Sequence, residues 1–169
     1  MFFSDDCKTI KIDCEARVVN TLPAFGFAFN ASTPQFAVLE TPLLLPSINP
    51  NPDISVPVIN DTVSTGTGIR IKKTGIYQIS YSLTISLDNI PVVSEVTRFF
   101  LTIDTPNNII PGSGTAVRSN VVGTGEVDIS STVILINLNS GNLIQIVPVE
   151  VAGKVDIRSA ALTIVQIGE

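Results

Sequence analysis

The stretch 76–87 limits the fold more than any other part of the chain. Tyr77, Ile79, Tyr81, Leu83, Ile85 and Leu87 alternate with Gln78, Ser80, Ser82, Thr84 and Ser86. In an extended backbone successive side chains point to opposite faces, so the apolar set shares one side and the polar set the other. A helix would spread the same residues around its whole circumference, so the pattern is that of a half-buried strand. Such a strand needs partners, and the sequence offers them at 97–103, 116–122, 127–138, 143–151 and 155–167. Asp104-Thr105-Pro106-Asn107-Asn108, Pro111-Gly112-Ser113-Gly114, Gly123-Thr124-Gly125 and Asn139-Ser140-Gly141-Asn142 separate them as turns. Many short strands between Gly and Pro turns imply an all-β sandwich or barrel.

Upstream the character differs. Phe25-Gly26-Phe27-Ala28-Phe29 puts three rings on one face of an extended strand. Between 41 and 53 stand Pro42, Pro46, Pro50 and Pro52, which exclude a helix and a central strand. That segment reads as a long ordered loop, or as a strip laid over the sandwich by Leu43, Leu44 and Leu45. Residues 1–20 carry four acids and three bases with little periodicity, and read as a flexible N-terminal arm before a single domain over 21–169. With 169 residues, one domain is the expected number.

Two strands are apolar on both faces. In 143–151, Leu143, Val147 and Val149 alternate with Ile144 and Ile146. In 155–167, Val155, Ile157, Ala161, Val165 and Ile167 oppose Ala160, Leu162 and Ile164. A strand facing water on one side alternates cleanly, so these are covered twice. A loop such as the proline strip could be the second cover, or a neighbouring subunit. Charged residues make up 15% of the chain against roughly 25% in ordinary soluble domains. A subunit interface explains both observations, which makes Leu143, Ile144, Ile146, Val147, Val149, Ile157, Leu162, Ile164 and Val165 candidates for a trimer interface or for the core.

Several function classes are excluded or weakened by what is missing. The chain has no His, which removes the common Ser–His and Cys–His nucleophiles and histidine-bearing metal sites. A net charge of −5 argues against a nucleic-acid surface. No segment approaches the roughly 20 apolar residues of a membrane span, and the N-terminus lacks the basic and apolar regions of a signal peptide. Cys7 and Cys14 are too few for a disulfide framework, and their spacing matches no common metal knuckle; an inert tail or an intermolecular disulfide are the readings left. Glu126 and Asp128, two residues apart on one strand, could mimic a glycosidase pair, but such spacing recurs by chance in any acidic β protein. Asn30-Ala31-Ser32 and Asn60-Asp61-Thr62 fit an N-glycosylation pattern, which has little meaning in a chain expected to be made without a signal peptide. No cofactor and no catalytic residue is expected.

Gly75-Ile76-Tyr77-Gln78-Ile79-Ser80-Tyr81 resembles the G-x-Y-x-hydrophobic-S-Y strand of the tumour-necrosis-factor and complement-globular-head jelly rolls. The stretch 134–146 resembles their following hairpin, L-x-L-x-x-G-D-x-V-x-L, with Asn142 in place of the commoner Asp. Longer stretches resemble the BxpB/ExsF family of exosporium basal-layer proteins from the Bacillus cereus and Bacillus anthracis group. These are Leu22-Pro23-Ala24-Phe25-Gly26-Phe27-Ala28-Phe29-Asn30-Ala31, Thr41-Pro42-Leu43-Leu44-Leu45-Pro46, Val56-Pro57-Val58-Ile59-Asn60-Asp61-Thr62-Val63 and 110–120; Lys11-Ile12-Asp13-Cys14-Glu15-Ala16 adds to them.

The resemblance implies a jelly-roll sandwich, a homotrimer, and a structural role in the spore exosporium. There the protein would lie in the basal layer with other basal-layer proteins and anchor the trimeric collagen-like glycoprotein of the hair-like nap. Synthesis in the mother-cell cytoplasm would account for the missing signal peptide. The family's attachment is very stable, with a covalent link through carboxyl side chains of the anchor as one form it can take. Asp5, Asp6, Asp13 and Glu15 in the arm are then the candidate acceptors, against the plainer reading that they solvate a tail. The alternative function is a ligand-binding jelly roll that recognises a sugar or a receptor, weakened for sugars by the absence of Trp and His.

Overall fold

The computed structural model describes residues 24–31, 33–46, 62–64, 66–86, 96–118, 126–130, 133–151 and 155–168. The arm at 1–20, with Asp5, Asp6, Cys7, Asp13, Cys14 and Glu15, lies outside the described residues, as does Leu87. Eleven strands are described: β1 (Phe25–Asn30), β2 (Gln35–Phe36), β3 (Thr62–Ser64), β4 (Gly68–Ile71), β5 (Gly75–Ser86), β6 (Val96–Ile103), β7 (Thr115–Arg118), β8 (Glu126–Ser130), β9 (Ile134–Leu138), β10 (Leu143–Glu150) and β11 (Asp156–Gly168). All pairings between them are antiparallel.

The long alternating strand β5 is the spine of one sheet. It pairs with β11 along one side and, on the other, with β9 at its first half and β8 at its second. β1 and β2 share the far side of β11. The second sheet runs β3-β4-β10-β6-β7. The chain thus crosses repeatedly from one sheet to the other, between β4 and β5, β5 and β6, β9 and β10, and β10 and β11, as in a jelly roll, and the core forms where the sheets face each other. Tyr77, Ile79, Tyr81, Leu83 and Ile85 meet Ile69, Ile71, Phe99, Leu101, Ile144 and Ile146 there, all buried. Burial of one such aliphatic or aromatic side chain contributes roughly 1.5–3 kcal/mol.

Both core tyrosines find partners for their hydroxyls, as buried phenols must. Tyr77 donates to the Lys73 carbonyl at 2.6 Å. The Tyr81 hydroxyl lies 2.7 Å from Thr115 Oγ1, 3.0 Å from the Phe99 carbonyl and 3.1 Å from the Ser113 carbonyl. Burial pushes this phenol up to about 12, because the phenolate loses its water. Ser113, itself buried, accepts from the Leu101 N–H and donates to the Ile110 carbonyl, which ties the 110–114 loop to β6. Gly75 is required by contact: a Cβ there would lie 2.5 Å from the Gln166 side chain and the Gly168 carbonyl.

Two expectations are corrected. The run 127–138 is two strands, β8 and β9, because both Ile129 and Ile134 face inward although they are an odd number of residues apart. One continuous strand would turn them to opposite faces, so pairing with β5 breaks and resumes one residue out of step. Ile157 does not share a face with Ala161 and Val165. A bulge between Ile157 and Ser159 inserts Arg158 and turns Ile157 into the core beside Ala160, Leu162 and Ile164. The strand expected at 116–122 is present as Thr115–Arg118, and 119–122 lie outside the described residues.

The proline strip behaves in part as an edge strand. Leu43 N–H donates to the Ile146 carbonyl and Glu40 N–H to the Pro148 carbonyl, along the side of β10 beyond the reach of β4. Leu43 and Leu45 enter the core and Leu44 stays exposed, with Gln35 holding the Leu44 backbone through both its N–H and its carbonyl.

Candidate functional site: an uncovered sheet face

The two strands that read as apolar on both faces differ in the fold. On β10, Ile144 and Ile146 belong to the core, and Val147, on the opposite face, is also fully buried within the single chain. Only Leu143 and Val149 are half-exposed there. On β11, Ile157, Leu162 and Ile164 are core residues, whereas Ala161, Thr163 and Val165 on the other face are half-exposed and Ile167 is 52% exposed.

That face of β11 is the centre of a larger surface. The register aligns Phe25, Val165, Gln78 and Leu135 in one row across four strands. Phe27, Thr163 and Ser80 form a second row, and Phe29, Ala161, Ser82 and Ser130 a third. β1 turns Gly26 and Ala28 to the core and its three Phe residues outward; Phe27 and Phe29 stack with centroids 5.5 Å apart. A strand that puts its smallest residues inside and its rings outside is not built to face water alone. Phe25 is 43% and Leu135 62% exposed. None of the residues in these rows is charged. The rings stand at one edge, aliphatic Leu135 at the other, and small polar residues lie flat between them, a surface shaped for another protein surface.

At the far end of the sheet the chemistry changes. Asp156, opposite Ser86, is buried and pairs with Arg158 at 3.3 Å. Glu126 and Asp128 lie on β8 opposite Ser86 and Thr84. No group of acids, His or Cys that could hold a metal ion exists among the described residues.

Similar solved structures define the fold. The TNF Eiger from S. frugiperda superposes with a TM-score of 0.59 at 13% identity, over 87% of this chain and 94% of that one. The globular domain of the zebrafish complement 1qA protein gives 0.56 at 12% identity, over 85% and 97%. The chain has the jelly-roll fold of these two proteins. No family model matches the sequence, and no curated protein matches it.

Proposed function

We propose that the protein is a non-enzymatic structural unit that associates through the uncovered face of β1, β11, β5 and β9 as a homotrimer. The observation that carries this reading is the uncharged face itself, with Phe25, Phe27, Phe29, Val165 and Leu135 turned to solvent. The likeness of 22–31, 41–46, 56–63 and 110–120 to the exosporium basal-layer family points to the setting. There the trimer would form part of the basal layer of the spore exosporium, with other basal-layer proteins, and anchor the collagen-like glycoprotein. The arm at 1–20, a segment separate from the domain at 21–169, would make the attachment through Asp5, Asp6, Asp13 and Glu15. Synthesis without a signal peptide in the mother-cell cytoplasm completes this reading.

Light scattering at micromolar protein tests the assembly. The expected unit is a trimer of 18.0 kDa chains, and the double variant Val165→Asp, Leu135→Asp should stay folded and lose that trimer. A wild-type monomer sinks the trimer. Fractionated spores test the setting: the protein should be found in purified exosporium and be absent from growing cells. Specific binding of a soluble sugar or receptor, without enrichment in the spore shell, would favour the ligand-binding alternative.

A further inference from the structure

The edge of the same sheet carries an unused pairing site. In β1, the Ala24 carbonyl accepts from the Gln166 N–H, which makes Ala24 and Gln166 a hydrogen-bonded pair of the ladder with β11. Hydrogen-bonded pairs alternate along an antiparallel ladder, so Gly26, Ala28 and Asn30 also turn their backbone groups toward β11. The N–H and C=O groups of Phe27 and Phe29 therefore point the other way. β1 is the end of its sheet among the described residues, and nothing there bonds these groups. Natural edge strands are protected by charge, proline, a bulge or a cover. β1 has no charge, no proline and an unbroken register.

We propose that this edge pairs with the β1 edge of a second copy, antiparallel about a two-fold axis through Ala28. The segment is self-complementary in that register. Phe27 faces Phe29 of the second copy and Phe29 faces its Phe27, and each of these pairs exchanges both backbone hydrogen bonds. The Ala28 residues meet at the axis, where short side chains permit the close approach of a non-hydrogen-bonded pair. The rings on the outer face continue the existing Phe27–Phe29 stack into the neighbour as cross-strand aromatic pairs. No charge lies opposite a like charge.

The inference rests on the assembly reading and extends it. A closed ring such as a trimer has no contact left with which to grow, whereas a second, two-fold contact links rings into a continuous sheet of protein. The face and the edge are separable by mutation. Phe27→Pro removes an N–H that the β1–β11 ladder does not use, so the strand tolerates it while the edge loses a donor. Val165→Asp and Leu135→Asp alter the face and leave the edge intact.

Sedimentation velocity over a hundredfold range of concentration reads the result. Wild-type protein should form species larger than the trimer as concentration rises, and Phe27→Pro should stop at the trimer. The double face variant should stop at a dimer. Backbone amide exchange on that face variant gives an independent reading that needs no change in β1: Phe27 and Phe29 amides should gain at least tenfold protection as concentration rises. Large species that persist in Phe27→Pro, or Phe27 and Phe29 amides that stay unprotected at high concentration, overturn the edge pairing. A wild-type protein that dimerises through β1 without any trimer overturns the face reading and leaves the edge pairing standing.

Discussion

β10 and β11 have similar sequences and opposite situations. Each is apolar on both faces, and each lies in the middle of a sheet. β10 is closed within its own chain, its core face by the opposite sheet and its outer Val147 to complete burial, with the 39–45 strip bonded along its side. Among the described residues β11 is closed only on its core side. The difference teaches that a two-faced apolar strand reports that a second cover exists, and does not say whether the same chain supplies it. What separates the two is their neighbours. Beside β11 stand the outward rings of β1 and the small hydroxyl residues of β5, and none of them rises high enough to roof the face.

Truncation gives the sharpest contrast. Ile146→Ala, in the core face of β10, should cost about 2–5 kcal/mol in urea unfolding. Val147→Ala on its outer face should also cost more than about 1 kcal/mol, since that side chain is equally buried. Val165→Ala on β11, measured in the single-chain state, should cost less than about 0.5 kcal/mol. Equal losses at Val147 and Val165 would erase the distinction between the strands.

Alkali probes the layer between the sheets. The Tyr81 phenol is held neutral in the fold with its value near 12, above the ordinary value of 10. Folding therefore keeps its full stability below pH 10 and loses it progressively as pH rises toward 12, by about 3 kcal/mol in all. Tyr81→Phe should be less stable than wild type at neutral pH, and the gap should narrow across that window. A gap that stays constant from pH 9 to 12 would mean that Tyr81 ionises freely in the fold.

The arm should matter least to folding. Deleting residues 1–20 removes four candidate attachment acids from a segment read as separate from the domain, so the melting temperature of the domain should change by no more than about 2 °C. Changing Asp5, Asp6, Asp13 and Glu15 together to their amides should have an equally small effect on melting. On the proposed exosporium reading, spores carrying the same variant should show less of a high-mass, detergent-resistant band containing this chain together with the collagen-like glycoprotein. An undiminished band would move the attachment out of the arm, with Asp61, Asp88 and Glu95 next in line.

Much of the fold was legible because β5 states its register in every residue from Tyr77 to Ile85. The break between β8 and β9 was not legible: Val133 and Leu135 continue the odd phase of Val127 and Ile129 while Ile134, Ile136 and Leu138 take the even one, and only the pairing with β5 shows which set turns inward. Ile157 could not be placed either, because a bulge changes parity without any Gly or Pro to announce it; Arg158 is an ordinary residue by type. The uncovered face was half legible. Three Phe residues alternating with Gly26 and Ala28 signalled a face, but strand alternation alone does not tell inside from outside, and only the pairing of β1 with β11 puts the rings in solvent.

The bond between the Gln166 N–H and the Ala24 carbonyl brings the first described residue of the domain against its final strand. The thirteen residues of β11 then run away from that point to Asp156, where Phe36 pairs with it and the Val38–Leu39 turn protrudes. The domain consequently has a front and a back. Ala24 and Gly168 lie at the same end of the described domain, so a circularly permuted chain that joined these two residues directly would need only a short linker. An array of such domains laid side by side in one orientation would show every Ala24 and Gly168 on one surface and all its apolar turns on the other.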